Sequence, residues 1–194
     1  MASGIVIKNA SGGNSLNLDS WLSYDLSMTQ SGLFINVVSP AGQSQITQDL
    51  ANQRVTIKMS NNGSSSGFLT RFPISNGLAL HFVANSDFFV GNYNFNNWFG
   101  IGFDNANYTA TISSINPFPF GWANTRTWSP MGMFFADGGW MVADGKECYF
   151  LDNNYTILAH ITLDDAPTNL WVSDQKQDSG ALTYYLYVDQ IKYK

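Results

Sequence analysis

Residues 133–159 read MFFADGGWMVADGKECYFLDNNYTILA, and this stretch indicates the fold class of the whole chain. Four short apolar runs in it are separated by three turn-forming segments, Asp137-Gly138-Gly139, Asp144-Gly145 and Asp152-Asn153-Asn154. Short turns of this composition between apolar runs are typical of β-hairpins. We therefore expect an antiparallel meander in which consecutive strands are neighbours.

Outward from this meander, short strand-like runs alternate with Gly, Asn, Asp and Ser along the rest of the chain. The predicted strands are Gly4–Lys8, Ser15–Leu26, Leu33–Ser39, Arg54–Ser60, Leu78–Ala84, Phe88–Tyr93, Trp98–Phe103, Tyr108–Ile115, Gly132–Ala136, Trp140–Ala143, Glu147–Asp152, Tyr155–Leu163, Asn169–Ser173 and Leu182–Lys192. The one helix candidate, around Gln45–Asn52, is a turn or two long. Without helices to act as crossovers, the sequence predicts an all-β chain folded as an antiparallel β-sandwich or jelly roll, with little or no helix.

Composition supports the same class. Aromatic residues make up 15% of the chain and charged residues only 12%, and Glu147 is its only glutamate. Helix-favouring Glu, Lys and Arg are scarce, whereas turn-forming and β-favouring residues are abundant.

We expect a single domain over residues 1–194, because the length is sufficient for one sizeable core. An internal corner or subdomain break is predicted near residues 113–130. There Pro117 and Pro119 stand in alternate positions, where a central strand would not accept them.

The charge pattern argues against nucleic acid and membrane partners. The net charge is −5 and the nine Lys and Arg residues are scattered, so no cationic groove is expected and no nucleic-acid binding. No apolar run approaches the length of a membrane span, and no membrane insertion is expected. Cys148 is the only cysteine, which excludes an intrachain disulfide. With no signal peptide recognised, synthesis in a reducing cytoplasm is expected.

Catalytic signatures are missing from the sequence. It contains no Gly-x-Ser-x-Gly elbow and no His-Glu-x-x-His motif. His81 and His160 lie in apolar strands without metal-ligand spacing, and Cys148 is expected to be an inert core thiol. Asp104-Asn105-Ala106-Asn107 and Asp152-Asn153-Asn154 could offer oxygen ligands to calcium, but turn formation explains both. We therefore expect no enzyme, no catalytic residue, no cofactor and no metal.

Two aromatic segments are candidates for ligand binding. Residues 88–108 interleave aromatic rings with asparagines, and residues 119–128 place two tryptophans and an arginine in loop context. Flat rings and amides together suit a sugar ligand. The predicted ligand-binding residues are Tyr93, Phe95, Asn96, Trp98, Trp122, Arg126 and Trp128. The alternative is that the rings close a sandwich core and the asparagines form turns.

The last predicted strand carries three tyrosines. Alternation places Leu182, Tyr184, Leu186 and Val188 on one side and Thr183, Tyr185, Tyr187 and Asp189 on the other. The tyrosines could form a polar-tipped ledge or an interface, or the strand could be a core strand with hydroxyls at its rim.

The N-terminal stretch Gly4–Asp19, a short apolar strand followed by a Gly/Asn turn and alternating leucines, resembles the opening of small β-rich virion proteins of tailed bacteriophages. The resemblance implies a structural component of a phage tail, at its tip or on a fibre, that takes part in host attachment or docks on another tail protein. Expected partners are other tail proteins, further copies of the chain, and a glycan or outer-membrane receptor of the host. The expected location is the virion.

A free-standing, lectin-like carbohydrate-binding protein is the alternative function, with the Asn/aromatic segment as its site. The two functions overlap, because a receptor-binding module can itself recognise a glycan. A glycan-cleaving tail enzyme is a third, minority option, since no pair of carboxylates with a suitable pattern is recognisable.

Overall fold

The computed structural model describes residues 14–38, 45–61, 66–74, 76–83, 97–104, 120–123, 138–162, 166–176 and 182–194. Regular structure in these ranges is entirely β, with no helix. The strands are β1 Leu22–Ser23, β2 Ile35–Val38, β3 Gln45–Asp49, β4 Arg54–Asn61, β5 Ser66–Pro73, β6 Gly77–Phe82, β7 Asn97–Asp104, β8 Phe120–Ala123, β9 Gly139–Asp144, β10 Glu147–Leu151, β11 Ile157–Thr162, β12 Asn169–Lys176 and β13 Leu182–Tyr193.

These strands form two antiparallel sheets. The larger has eight strands in the order β11-β10-β9-β6-β13-β4-β3, with β1 paired to β13, and the smaller has the order β2-β5-β12-β7-β8. β4 of the first sheet contacts β12 of the second. The predicted all-β antiparallel sandwich is confirmed. Both sheets contain strands from before residue 113 and strands from after residue 130.

The meander predicted over residues 133–159 is confirmed for its described strands, which begin at residue 139. β9 pairs with β10 through Asp144↔Glu147, and β10 pairs with β11 through Cys148↔Ile161. Gly145 opens the two-residue turn between β9 and β10 with φ of 62°, a conformation that glycine adopts without strain. Hairpin chemistry therefore determines this part of the sheet locally.

One face of the eight-stranded sheet, here called the inner face, carries the main core. Its strands present alternate residues such as Val55, Ile57, Leu186 and Val188, which are buried. The full buried cluster is Leu26, Leu33, Ile46, Val55, Ile57, Leu78, Leu80, Phe82, Met141, Ala143, Cys148, Phe150, Leu186, Val188 and Ile191. Phe34 and Ile74, which flank β2 and β5 of the smaller sheet, pack against it. The core thus lies between the two sheets.

The opposite, outer face is covered over β6, β9 and β10 by the N-terminal segment 14–24, here called the strap. Leu18 and Trp21 of the strap are buried against Ala79, Trp140 and Val142. The strap is also anchored by main-chain hydrogen bonds from Leu16 N–H to Tyr155 O and from Tyr24 N–H to Ile191 O. β6 and β9 are consequently buried on both faces.

Two local predictions are wrong. The predicted helical turn Gln45–Asn52 is instead strand β3 up to Asp49, because pairing with β4 overrides its weak helix preference. The predicted strand Ser15–Leu26 contains one short strand, β1, and an isolated bridge between Ser15 and Thr156, and is otherwise irregular. Turn hydrogen bonds replace strand pairing in this segment: the Asn17 side chain accepts the Asp19 N–H at 2.7 Å, and Leu18 O accepts the Trp21 N–H.

Strand β5 is not among the strands that the sequence predicts. It begins at Ser66, runs to Pro73 and pairs with β2 and β12. Its first two residues, Ser66 and Gly67, have the composition of a linker, whereas long-range pairing makes them part of a strand. The predicted strands Gly4–Lys8, Phe88–Tyr93, Tyr108–Ile115 and Gly132–Ala136 lie outside the described residues, as does most of the predicted break at 113–130.

Candidate functional site

Two of the seven predicted ligand-binding residues lie in described strands. Trp98 is opposite Gln175 in the β7–β12 pair, and Trp122 is opposite Ile101 in the β7–β8 pair. Positions 98 and 101 differ by an odd number, so the pleat assigns the two tryptophan positions to opposite faces of the smaller sheet. The register does not bring these two positions to one face. The other five, Tyr93, Phe95, Asn96, Arg126 and Trp128, lie outside the described residues.

A different aromatic surface lies on the outer face of the larger sheet, next to the strap. Tyr185 and Tyr187 of β13 alternate with buried Leu186 and Val188, as the sequence predicted for these four residues. Their cross-strand neighbours on β4 are Lys58 and Thr56 respectively. We call Arg54, Thr56, Lys58, Tyr185 and Tyr187 the tyrosine platform; each member is half-buried.

The geometry of the platform is ordered by ring and charge contacts. The rings of Tyr185 and Tyr187 are nearly parallel, with 6.4 Å between centroids and 12° between planes. The Arg54 guanidinium carbon lies 3.8 Å from the centroid of the Tyr187 ring, within the range of a cation–π contact. The platform therefore holds two nearly parallel rings, with the planar Arg54 guanidinium in contact with one of them.

The Asp49 carboxylate orients the Arg54 side chain. Arg54 Nε donates to Asp49 Oδ2 at 3.3 Å, and Asn52 donates to the same carboxylate from its backbone N–H and its side-chain amide. The hydrogen bonds from Asn52, followed by Arg54, hold the pKa of Asp49 below its usual value. The carboxylate therefore stays charged and keeps the guanidinium oriented.

Beside the platform lies a polar group that we call the histidine cluster, formed by His81, Trp140, Asn153 and Asp189. His81 Nδ1 is 2.5 Å from Asp189 Oδ1, and its Nε2 is 2.9 Å from Asn153 Oδ1. The imidazole also contacts the Trp140 ring, with 4.9 Å between centroids. Burial lowers the pKa of His81, but the hydrogen bonds to Asp189 and Asn153 and the Asp189 charge outweigh it, so the pKa is raised.

Asp189 and His81 face each other at a β-bulge between β13 and β6. The β13–β6 register passes from Val188↔Phe82 to Gln190↔His81, so Asp189 is the extra residue. A bulge of this kind leaves two residues of one strand opposite one residue of the other. Alternation from Val188 already places Asp189 on the outer face with His81, and the extra residue makes Ile191, rather than Gln190, return to the core.

A second polar group lies on β10 and β11. Glu147 is hydrogen-bonded to the His160 ring and accepts from the Thr162 hydroxyl at 2.9 Å. The His160 ring stacks on Tyr149 with 4.5 Å between centroids. Burial raises the pKa of Glu147, but the hydrogen bonds from His160 and Thr162 outweigh it and lower the pKa overall. A carboxyl with a lowered pKa is poorly suited to act as a general acid at neutral pH.

Within the described ranges, no group of three or more His, Cys, Asp or Glu side chains could hold a metal ion. Cys148 is fully buried in the core, as predicted, and burial raises its pKa, which suppresses thiolate reactivity. The Asp152 carboxylate accepts the N–H groups of Asn154 and Thr156, both at 2.8 Å. This segment is therefore a side-chain-capped turn, the simpler of the two explanations that the sequence allowed.

No helix in the part of the chain that the structure describes is long and apolar enough to cross a membrane. No protein-family model and no curated protein matches the chain. Among solved structures, the chain is similar to the Emp46p carbohydrate recognition domain. In its potassium-bound form that domain is 7% identical, with 89% of this chain and 98% of that chain covered and a TM-score of 0.44. In its metal-free form the identity is 7%, the coverage 89% and 97%, and the TM-score 0.45. A similarity of this extent carries no argument about what this protein binds.

Proposed function

We propose that this protein is a carbohydrate-binding module and that the tyrosine platform is its binding surface. The observation that carries the proposal is the parallel pair of half-exposed rings, Tyr185 and Tyr187, flanked by hydrogen-bonding side chains. Amphipathic rings cover the apolar face of a sugar, and the flanking donors pair with its hydroxyls. This is the alternative function raised by the sequence, at another place on the fold.

Three features of the platform favour a sugar over a purely apolar partner. Arg54, Lys58 and Thr56 alternate with buried residues on β4, so they stand on the same face as the rings. Arg54 is already oriented by Asp49 and by the Tyr187 ring, which reduces the ordering cost on binding. The surface combines ring faces with N–H and O–H donors and lies on strands of the sheet, which position it rigidly.

The test is a glycan array probed with the tagged protein and with matched variants. Tyr187→Ala and Tyr185→Ala are each expected to lower binding roughly fivefold to tenfold, since one stacked ring contributes about 1–1.4 kcal/mol. Tyr149→Ala is the control, because Tyr149 is a half-buried tyrosine at another position on the same sheet. Circular dichroism of each variant checks that the fold is kept.

Each outcome of the glycan array tests a different part of the proposal. Binding that survives both platform substitutions would exclude the platform as the site, and Trp122→Ala would then test the sequence-predicted segment in the same assay. A blank array for the wild-type protein would count against carbohydrate binding altogether. Loss with Tyr149→Ala as well as with the platform variants would indicate general misfolding rather than a lost contact.

The phage-tail role implied by the N-terminal resemblance stays a prediction, together with its virion location and its tail-protein partners. Of the stretch that carries the resemblance, residues 14–19 belong to the strap, and residues 4–13 lie outside the described part. A pull-down against dissociated tail proteins and host envelope fractions, read by mass spectrometry, tests it. Recovery of a tail protein would support the role, and recovery of envelope material alone would leave only the binding function.

A further inference from the structure

The tyrosine platform and the histidine cluster share strand β13. Val188↔Val55 is the last pair of the β13–β4 ladder, and Asp189 and Arg54 are the residues that follow it at that end of the two strands. Asp189 is 39% exposed at its side chain and contacts His81, whereas Arg54 contacts Asp49 and the Tyr187 ring. The Arg54 guanidinium thus has one carboxylate, Asp49, in contact with it and a second, Asp189, on the neighbouring strand.

The hydrogen-bond geometry around His81 fits the doubly protonated ring. Both ring nitrogens face oxygen atoms, of a carboxylate on one side and of an amide on the other, and a neutral imidazole carries only one N–H. The side chain is 15% exposed, so water replaces these partners poorly. The charged ring therefore neutralises Asp189 from the side opposite to Arg54.

Other charged or titratable groups near His81 are occupied elsewhere. On β13, the Lys192 ammonium donates to Leu18 O at 3.1 Å and lies near the Trp140 and Tyr155 rings. In the β10–β11 turn, the Asp152 carboxylate caps its own backbone. Gln190, opposite His81 on β13, is uncharged. The charge balance around the Asp189 carboxylate therefore depends chiefly on His81 and Arg54.

We propose that His81 is a proton-operated latch for the tyrosine platform: its charge neutralises Asp189 and so leaves Arg54 seated over Tyr187. When His81 loses its proton, the Asp189 carboxylate is no longer balanced and attracts the guanidinium across the ladder. Arg54 then moves off the Tyr187 ring, and the platform loses a donor placed beside that ring. The latch holds at lower pH and releases as pH rises through the titration of His81, whose pKa lies above its ordinary 6.5.

This inference rests on the proposed function only for its consequence, the pH dependence of glycan binding. The coupling itself is measurable without a ligand. Nuclear magnetic resonance of the wild-type protein between about pH 5 and pH 9 follows the His81 ring, the Arg54 Nε–H and the Tyr187 ring. The expected result is that all three titrate with one midpoint. Arg54 and Tyr187 resonances that stay constant while His81 titrates would overturn the latch.

Substitutions of His81 and Asp189 identify the group that causes the response of Arg54 and Tyr187 to pH. In His81→Gln the response of Arg54 and Tyr187 is expected to disappear, and in His160→Gln, the control, it is expected to persist. If His81→Gln does not fold, Asp189→Asn provides the same test. It keeps the shape, removes the charge that attracts Arg54, and is expected to abolish the Arg54 response while His81 still titrates. A response that persists in Asp189→Asn would refute the mechanism.

The glycan array supplies the functional arm. Wild-type signal is expected to fall about twofold to fivefold when the array is probed above rather than below the His81 midpoint, the range of one exposed cation–π contact. His81→Gln is expected to show no such fall. A blank array with coupled resonances would refute the proposed function and keep the latch. A pH-independent array signal with uncoupled resonances would refute the latch and keep the function.

Discussion

Gly77 shows how a single residue lets two parts of the fold approach each other. It begins β6 beneath the strap, and a Cβ placed there would lie 3.1 Å from Cη2 of the Trp21 ring and 3.4 Å from Ala143 O. The first distance is closer than carbon atoms normally approach. Glycine is required here because of this close approach, whereas Gly145 is favoured for its positive φ.

Gly77→Ala is expected to destabilise the protein by about 1–2 kcal/mol, because the Trp21 ring or the backbone of β9 must shift. Urea unfolding measures the change. The control is the same substitution in a Trp21→Ala background, where the space is open and the cost is expected to vanish. An equal cost in both backgrounds would show that contact with the ring is not the cause.

Among the elements, the strap performs the covering role that a helix has in many other folds. It hides one half of the outer face of the larger sheet and leaves the tyrosine platform on β4 and β13 half-exposed. Few side chains of the strap are buried, so the attachment of the strap to the sheet depends on those few. Its exposed positions include Leu22, which is 59% exposed.

Leu18→Ala should therefore cost about 2–5 kcal/mol of unfolding free energy, the usual range for a fully buried leucine. Leu22→Ala, in the same segment, should change the stability by less than about 0.5 kcal/mol. Denaturant midpoints at constant slope compare the two variants. Similar losses for both would mean that the strap is not held by burial of Leu18.

For the whole molecule, His81 matters because it joins three parts of the chain: strand β6, the bulge of β13 and the β10–β11 turn. Its pKa is raised above the unfolded value of 6.5. A group of this kind adds stability that is fully present below the unfolded pKa and is lost as pH rises through the folded pKa.

The difference in unfolding free energy between wild type and His81→Gln is accordingly expected to narrow as the pH rises from about 6.5 through the raised pKa of His81. Urea unfolding at several pH values in this range measures it. His160→Gln serves as the reference variant for a histidine on the same sheet. A difference that is constant with pH would mean that the proton on His81 does not contribute to folding.

The success of the sequence-based prediction differs between parts of the fold. The Asp144-Gly145 turn and the alternation of Leu186 and Val188 with Tyr185 and Tyr187 were readable, because turn chemistry and pleat are local. Strands β3 and β5 were not, since pairing with distant partners outweighed their local preferences. The bulge at Asp189 left no local signal, because it is defined by the register with β6.

The candidate site likewise has features that the sequence predicts and features that it does not. The sequence by itself determined the all-β class, the hairpins of the meander, the burial of Cys148 and the presence of a tyrosine-bearing last strand. Only the tertiary structure decided that β4 lies beside β13, which brings Arg54 onto the Tyr187 ring, and that β6 lies on the other side of β13, which brings His81 to Asp189. The reason is physical: alternation and turns depend on neighbours in the chain, whereas strand order depends on which faces bury together.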